Sequence, residues 1–172
     1  MKNFLCISFL FILVALSNSL LAQFKKPGVT FGAGLYYANP QGSFKDEYKG
    51  GLGAEVKGGV GLGSTYLVAT LGYAVFNART GNEYGMLTYK PVKVGVKKYF
   101  LAKRIFVNSD IGVANLKDKS MNSSTTTFSK GFGGGVRLLG LEAGVYYDSW
   151  GKPHESGTAN SVQFKLGYNL TL

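Results

Sequence analysis

The feature that most constrains this chain is an alternation of apolar and polar residues with period two, repeated in eight runs between Val29 and Leu172. Such alternation puts one set of side chains on each face of a pleated strand. The first run sets Val29, Phe31, Ala33, Leu35 and Tyr37 against Thr30, Gly32, Gly34 and Tyr36. The third sets Leu67, Ala69, Leu71, Tyr73 and Val75 against Val68, Thr70, Gly72 and Ala74. The last sets Val162, Phe164, Leu166, Tyr168, Leu170 and Leu172 against Gln163, Lys165, Gly167 and Asn169. The sixth run, about Phe128 to Leu138, is the least regular.

The connections alternate in length. Tight ones fall around Gly61 to Thr65, Leu101 to Arg104, and Leu139 to Gly140. Longer polar ones are expected at Asn39 to Gly50, Asn77 to Gly85, Leu116 to Thr127 and Ser149 to Asn160. The Ser/Thr run Ser123 to Thr127 reads as a loop tip. Eight strands joined by alternating turns and loops, each about 10 residues long, have the organisation of a transmembrane β-barrel. The fold class is therefore all-β: an eight-stranded antiparallel up-and-down barrel. The 25 glycines argue against a helical protein, because each interior Gly weakens a helix by roughly 1 kcal/mol relative to Ala.

The charges decide which face meets lipid. On the apolar rows the charged residues are Lys90, Lys98 and Lys130, all toward strand ends. The opposite rows carry Glu55, Lys57, Lys93, Lys97, Asp110, Glu142, Asp148 and Lys165, joined by Arg137 if the sixth strand is in register. A cation facing the bilayer midplane costs about 2–4 kcal/mol, so the charged rows belong in the lumen. Acids and bases are nearly balanced there and can pair, so that none is buried alone. Most strand glycines share these rows and leave room for long side chains to cross a lumen that eight strands make narrow. The alternative is a soluble lipocalin-like barrel with the apolar rows inside. Lys130 is the residue least at home on its row, and a bulge or an early strand end is expected beside it.

Residues 1–22 read as a cleavable secretory signal peptide, with residues 23–172 as the barrel domain. Lys2 precedes the apolar run Phe4 to Leu16, and a small-residue region ends at Ala22. That run is shorter than the ~20 residues a spanning helix needs. Cys6 lies inside it, so the mature chain has no thiol, no disulfide and no cysteine metal site. Lys and Arg number 19 against 9 acids. An exported chain whose cations are dispersed over strands is not a nucleic-acid binder; an anionic membrane surface is the better partner. One His and no mature Cys leave no metal constellation, and no cofactor motif occurs.

The last strand carries the most specific motif. Lys165-Leu166-Gly167-Tyr168-Asn169-Leu170-Thr171-Leu172 has a polar residue, Gly two positions on, and two hydrophobic residues separated by one at the end. In this and in its eight runs the chain resembles the small, porin-like outer-membrane β-barrel domain family of Gram-negative bacteria, over about Phe24 to Leu172. The resemblance implies location in the outer membrane, periplasmic termini, extracellular loops and a lumen filled with side chains. It also implies that Lys165, Gly167, Leu170 and Leu172 form the signal recognised by the outer-membrane assembly machinery, with Leu172 replacing the usual aromatic residue. Outer-membrane lipid and lipopolysaccharide are the expected surroundings.

The function expected is non-enzymatic: an envelope structural, surface-binding or accessory-subunit role through four loops. Lipid A deacylases among such barrels suggest the alternative of an interfacial lipid hydrolase, since His154 and Ser156 are two apart. They lie in a Gly/Pro-flanked loop rather than a strand, however, and only Glu142, Asp148 or Glu155 could orient the imidazole. A narrow channel is a third possibility. Lys25, Lys26, Lys97, Lys98, Lys103 and Arg104 are expected to form a basic rim at the short-turn end, facing anionic lipid. Tyr36, Tyr37, Tyr89, Tyr146, Tyr147 and Trp150 are expected to form an aromatic girdle at the loop end.

Overall fold

The computed structural model describes residues 27–79, 85–119, 123–152 and 157–172. The proposed signal segment lies outside these residues, as do Lys25, Lys26, His154, Glu155 and Ser156. The strands are β1 (Pro27–Gln41), β2 (Tyr48–Leu62), β3 (Thr65–Ala78), β4 (Leu87–Phe100), β5 (Ile105–Asp118), β6 (Ser123–Leu138), β7 (Leu141–Gly151) and β8 (Thr158–Thr171), with a single-turn helix α1 (Phe44–Glu47) between β1 and β2. Each strand pairs antiparallel with its sequence neighbours, and β1 pairs with β8 to close the barrel.

The register fixes the tilt. Following partners round the wall from Phe31 through Gly58, Ala69, Val94, Ile111, Lys130, Ser149 and Asn160 ends on Gln41, ten residues further along β1. A stagger of this size requires the strands to lean at about 35–45° to the barrel axis. A leaning strand of 14 residues, such as β3 or β5, then spans the ~25 Å apolar band with residues to spare at its ends.

The barrel is inside out relative to a protein stable in water. Leu35 is 69 % exposed, Leu52 71 % and Phe132 63 %, whereas Lys97 is 2 % exposed and Asp148 3 %. The lipocalin-like arrangement, with the apolar rows inside, is thereby overturned. The outward rows from Val60, Leu67 and Val96 up to Leu52, Val92 and Val113 form a continuous apolar belt.

Several local expectations need correcting. The strands run into the polar stretches expected as loops: β1 continues to Gln41 and β2 begins at Tyr48, β5 continues to Asp118 and β6 begins at Ser123, and β7 continues to Gly151 with β8 beginning at Thr158. Ser123 to Thr127 opens β6 rather than tipping a loop. Backbone pairing is indifferent to side-chain polarity, and Thr, being β-branched, favours extended backbone. Lys130 lies in an unbroken ladder, opposite Ile111 on one side and Ser149 on the other, with no bulge. The register shift among these strands sits instead at Tyr48/Gly51, where β2 leaves α1. Following the stagger round the wall places Lys130 level with Tyr37 and Tyr147, near the upper edge of the belt, where a long lysine reaches the interface.

Candidate functional site

The chemistry-bearing side chains collect in the lumen, in three layers. Nearest the short-turn end, β4 and β7 bring Lys97 against Glu142, with Lys97 Nζ donating to Glu142 Oε2. The same ammonium lies 4.1 Å from the Phe106 ring centroid and 5.1 Å from that of Tyr99. Tyr99 OH donates to Glu142 Oε1 at 2.6 Å, Asn169 Nδ2 donates to it at 3.4 Å, and Arg137 Nε stands 4.0 Å away. Arg137 also donates to the Asn169 carbonyl at 2.9 Å and to Thr171 Oγ1 at 3.1 Å. Aromatic rings of Tyr66, Tyr99, Phe106 and Tyr146, with Val68, pack around this layer.

The middle layer holds two ionic clusters. Glu55 accepts from Lys57 at 2.6 Å and from Lys165 at 2.7 Å, so both carboxylate oxygens are engaged. Lys165 also sits 4.4 Å from the Tyr146 ring centroid. Across the lumen, Lys93 is bonded to Asp148 and lies 3.4 Å from Asp110 Oδ1. Asp148 Oδ2 accepts from Tyr89 at 2.9 Å and Gln163 at 3.0 Å, while Asp110 Oδ2 accepts from Asn108 at 2.7 Å. Asp110 Oδ1 has no hydrogen bond. Its compensation is the facing Lys93 charge, which the ion-pair distance supplies.

The uppermost layer is apolar. Phe44, carried by α1, inserts into the barrel mouth with centroids 5.0 Å from Tyr48, 5.3 Å from Phe76 and 5.4 Å from Trp150. Trp150 stacks on Tyr89 at 4.5 Å. Ala38, Ala74, Leu87, Ala114, Leu116 and Ala159 complete the plug. An ion pair between Glu47 and Lys152 ties α1 to the end of β7.

All eight residues anticipated as a lumen charge network (Glu55, Lys57, Lys93, Lys97, Asp110, Glu142, Asp148 and Lys165) have their side chains inside, grouped as three clusters rather than one mesh. Of the anticipated girdle, Tyr37 and Tyr147 face outward. Tyr36, Tyr89, Tyr146 and Trp150 are buried in the lumen instead. A polar hydroxyl or indole suits an interface equally on either face, so only strand parity decides. Of the anticipated basic rim, Lys97 belongs to the interior, Lys103 bonds Tyr66 OH at 3.2 Å, and Arg104 is exposed. In the C-terminal motif, Lys165 points in to Glu55, Leu170 and Leu172 point out, and a methyl on Gly167 would meet the Ala33 carbonyl at 2.7 Å.

The sequence reading missed the apolar plug and a packing device below it. Tyr36 faces Gly53, Tyr66 faces Gly61, Phe76 faces Gly51 and Tyr146 faces Gly133, each as a directly opposed pair on adjacent strands. A methyl on Gly133 would come within 2.5 Å of the Tyr146 ring, and one on Gly51 within 2.6 Å of Phe76. The rings lie flat on neighbouring glycines and so fit a narrow lumen. The interior gap lined by Gly32, Glu55, Lys57, Phe106, Glu142 and Tyr146 is about 20 Å³, room for about one water.

A closed antiparallel barrel of eight strands with charges inside and a lipid-compatible belt outside is the fold of the small outer-membrane β-barrels. Solved structures share it. Neisserial surface protein A matches with a TM-score of 0.62 at 12 % identity, over 83 % of this chain and 96 % of that one. Ail of Yersinia pestis, solved with the heparin analogue sucrose octasulfate, matches at 0.55 and 13 % identity, over 84 % and 99 %. The N-terminal β-barrel domain of Pseudomonas aeruginosa OprF matches at 0.53 and 12 % identity, over 86 % and 100 %. At such identities the likeness is one of fold. No protein-family model and no curated protein matches the sequence.

Proposed function

We propose that the chain is an exported, integral outer-membrane protein with a non-enzymatic role, acting through the surface it presents at the loop end of a sealed barrel. The observation that carries this reading is the combination of an apolar outer belt with a lumen closed by ion pairs and capped by Phe44, Trp150 and Tyr89. A lumen so filled serves stability rather than transport: Glu55, Asp110, Glu142 and Asp148 are each held by lysine, and the rings between them leave gaps of water size. Residues 1–22 act as the export signal. The C-terminal strand, with Lys165, Gly167, Leu170 and Leu172, acts as the assembly signal by pairing with an exposed sheet edge of the assembly machinery. The termini then face the periplasm and the ends bearing α1 face outward, in contact with lipopolysaccharide. An envelope structural or surface-binding task fits this arrangement.

The test is production of the full chain in a Gram-negative host, followed by fractionation and planar-bilayer recording. Recovery in the outer-membrane fraction with Gln23 as the first residue, and no unitary conductance steps, is the expected result. Recovery as a soluble periplasmic protein overturns the reading, and regular conductance steps replace the sealed barrel with a channel.

A further inference from the structure

The outward face at the loop end of β4, β5 and β6 departs from the rest of the wall. Lys90 on β4 is directly opposite Asn115 on β5, which is opposite Thr126 on β6. One step higher, Lys117 is opposite Ser124. Lys90 and Lys117 are diagonal neighbours on one face, about 7–8 Å apart at their α carbons by sheet geometry. Both are exposed. Among the described residues no carboxylate forms an ion pair with either lysine: Glu55, Asp110, Glu142 and Asp148 are engaged inside, and Glu47 binds Lys152. Asp118, next to Lys117 in sequence, is buried on the opposite face, 3.4 Å from Tyr48 OH.

Lys90 Nζ lies 5.8 Å from the Tyr73 ring centroid on β3; among the described residues neither it nor Lys117 faces a counter-charge, and an anion held between the two would supply one to both. The hydroxyls beside them are prepared for the same ligand. Asn115 Nδ2 donates to Ser124 Oγ at 3.0 Å and to Thr126 Oγ1 at 3.3 Å. Each hydroxyl oxygen thus accepts from the amide and keeps its own proton free to donate outward. Immediately below on the same three strands come Val92, Val113 and Phe128, all exposed. The donors therefore sit at the upper edge of the belt, where a lipid phosphate meets its acyl chains.

We propose that Lys90, Asn115, Lys117, Ser124 and Thr126 form a binding site for the phosphate of a membrane lipid whose acyl chains lie over Val92, Val113 and Phe128. The site rests on the membrane reading above and specifies where on the wall an anionic lipid is held. The lateral position, continuous with the apolar belt, selects a lipid phosphate over a soluble one.

The test uses the mature barrel in phosphatidylcholine nanodiscs containing a minor fraction of phosphatidic acid, with enrichment of the acid around the barrel read by native mass spectrometry. Each lysine near a membrane surface strengthens anionic binding about fivefold, so K90Q/K117Q is expected to lower the enrichment roughly 25-fold. S124A/T126V lowers it less, and K45Q, an exposed lysine of α1 at the barrel mouth rather than on the outer wall, leaves it unchanged. Excess inorganic phosphate is expected not to displace the lipid. Undiminished enrichment in K90Q/K117Q overturns the site, as does an equal loss in K45Q. Displacement by inorganic phosphate overturns its assignment to lipid. Failure of the barrel to enter phosphatidylcholine bilayers overturns the membrane reading and the site with it, whereas insertion with unchanged enrichment overturns the site alone.

Discussion

Lys97 and Glu142 show how unequal the two ends of one ion pair can be. Glu142 also accepts from Tyr99 and Asn169 and lies near Arg137, so losing Lys97 leaves it partnered. Lys97 has Glu142 as its carboxylate, with two aromatic rings besides. Removing one partner of a buried pair leaves the other charge uncompensated, at about 3–5 kcal/mol. Glu142→Gln is therefore expected to destabilise the barrel by about 3 kcal/mol, and Lys97→Met by less than half of that, in urea unfolding from lipid vesicles. A second residue-scale feature lies in the turn between β4 and β5. Leu101, Ala102 and Lys103 have φ values of 46°, 54° and 65°, a left-handed run without a glycine. This conformation costs an L-residue about 1–2 kcal/mol. Ala102→Gly is expected to raise stability by about 0.5–1 kcal/mol after the added freedom of the unfolded chain is subtracted.

At the scale of the strand, the two faces impose opposite rules on glycine. Gly53 lies under the Tyr36 ring, and a methyl there would overlap it. Gly58, on the outer face, has Phe31 3.7 Å from the position of such a methyl, an ordinary contact. Gly53→Ala is expected to destabilise by about 1–3 kcal/mol through overpacking, while Gly58→Ala is neutral or slightly stabilising; thermal unfolding of the two variants in matched micelles checks the contrast. This asymmetry also explains what was legible beforehand. Parity alone assigns Glu55, Lys93, Asp110 and Lys165 to one face, because a one-residue slip would turn every charge to lipid. The same parity puts Tyr36, Ala38, Ala74, Phe76, Tyr89, Ala114, Leu116 and Trp150 on the charged rows at their loop ends. That change from polar to apolar along one face was the visible trace of the plug, but aromatic residues near strand ends fit a girdle equally well. Strand limits were less legible. The belt's polarity change suggested that strands end where lipid ends, yet β5 and β6 continue pairing as far as Asp118 and Ser123. The single turn of α1 had no sequence signature, since its stability comes from Phe44 packing in the mouth rather than from helix propensity.

The whole molecule combines two solvents on one sheet. Lipid takes the place that water takes around a soluble barrel, and ion pairs and rings take the place of an aliphatic core. Every backbone polar group in the wall must be paired because acyl chains offer no hydrogen bonds, and closure of β1 on β8 meets that requirement. The ten-residue stagger then sets a circumference that the lumen side chains fill. The most direct measurement of this arrangement is contact between side-chain methyls and lipid acyl chains, by intermolecular nuclear Overhauser effects in nanodiscs. Val94, Ile111, Leu71 and Leu166 are expected to show acyl-chain cross-peaks, and Val68 and Leu116, buried in the lumen, none. Acyl contacts at Val68 or Leu116 with none at Val94 and Ile111 would contradict the account.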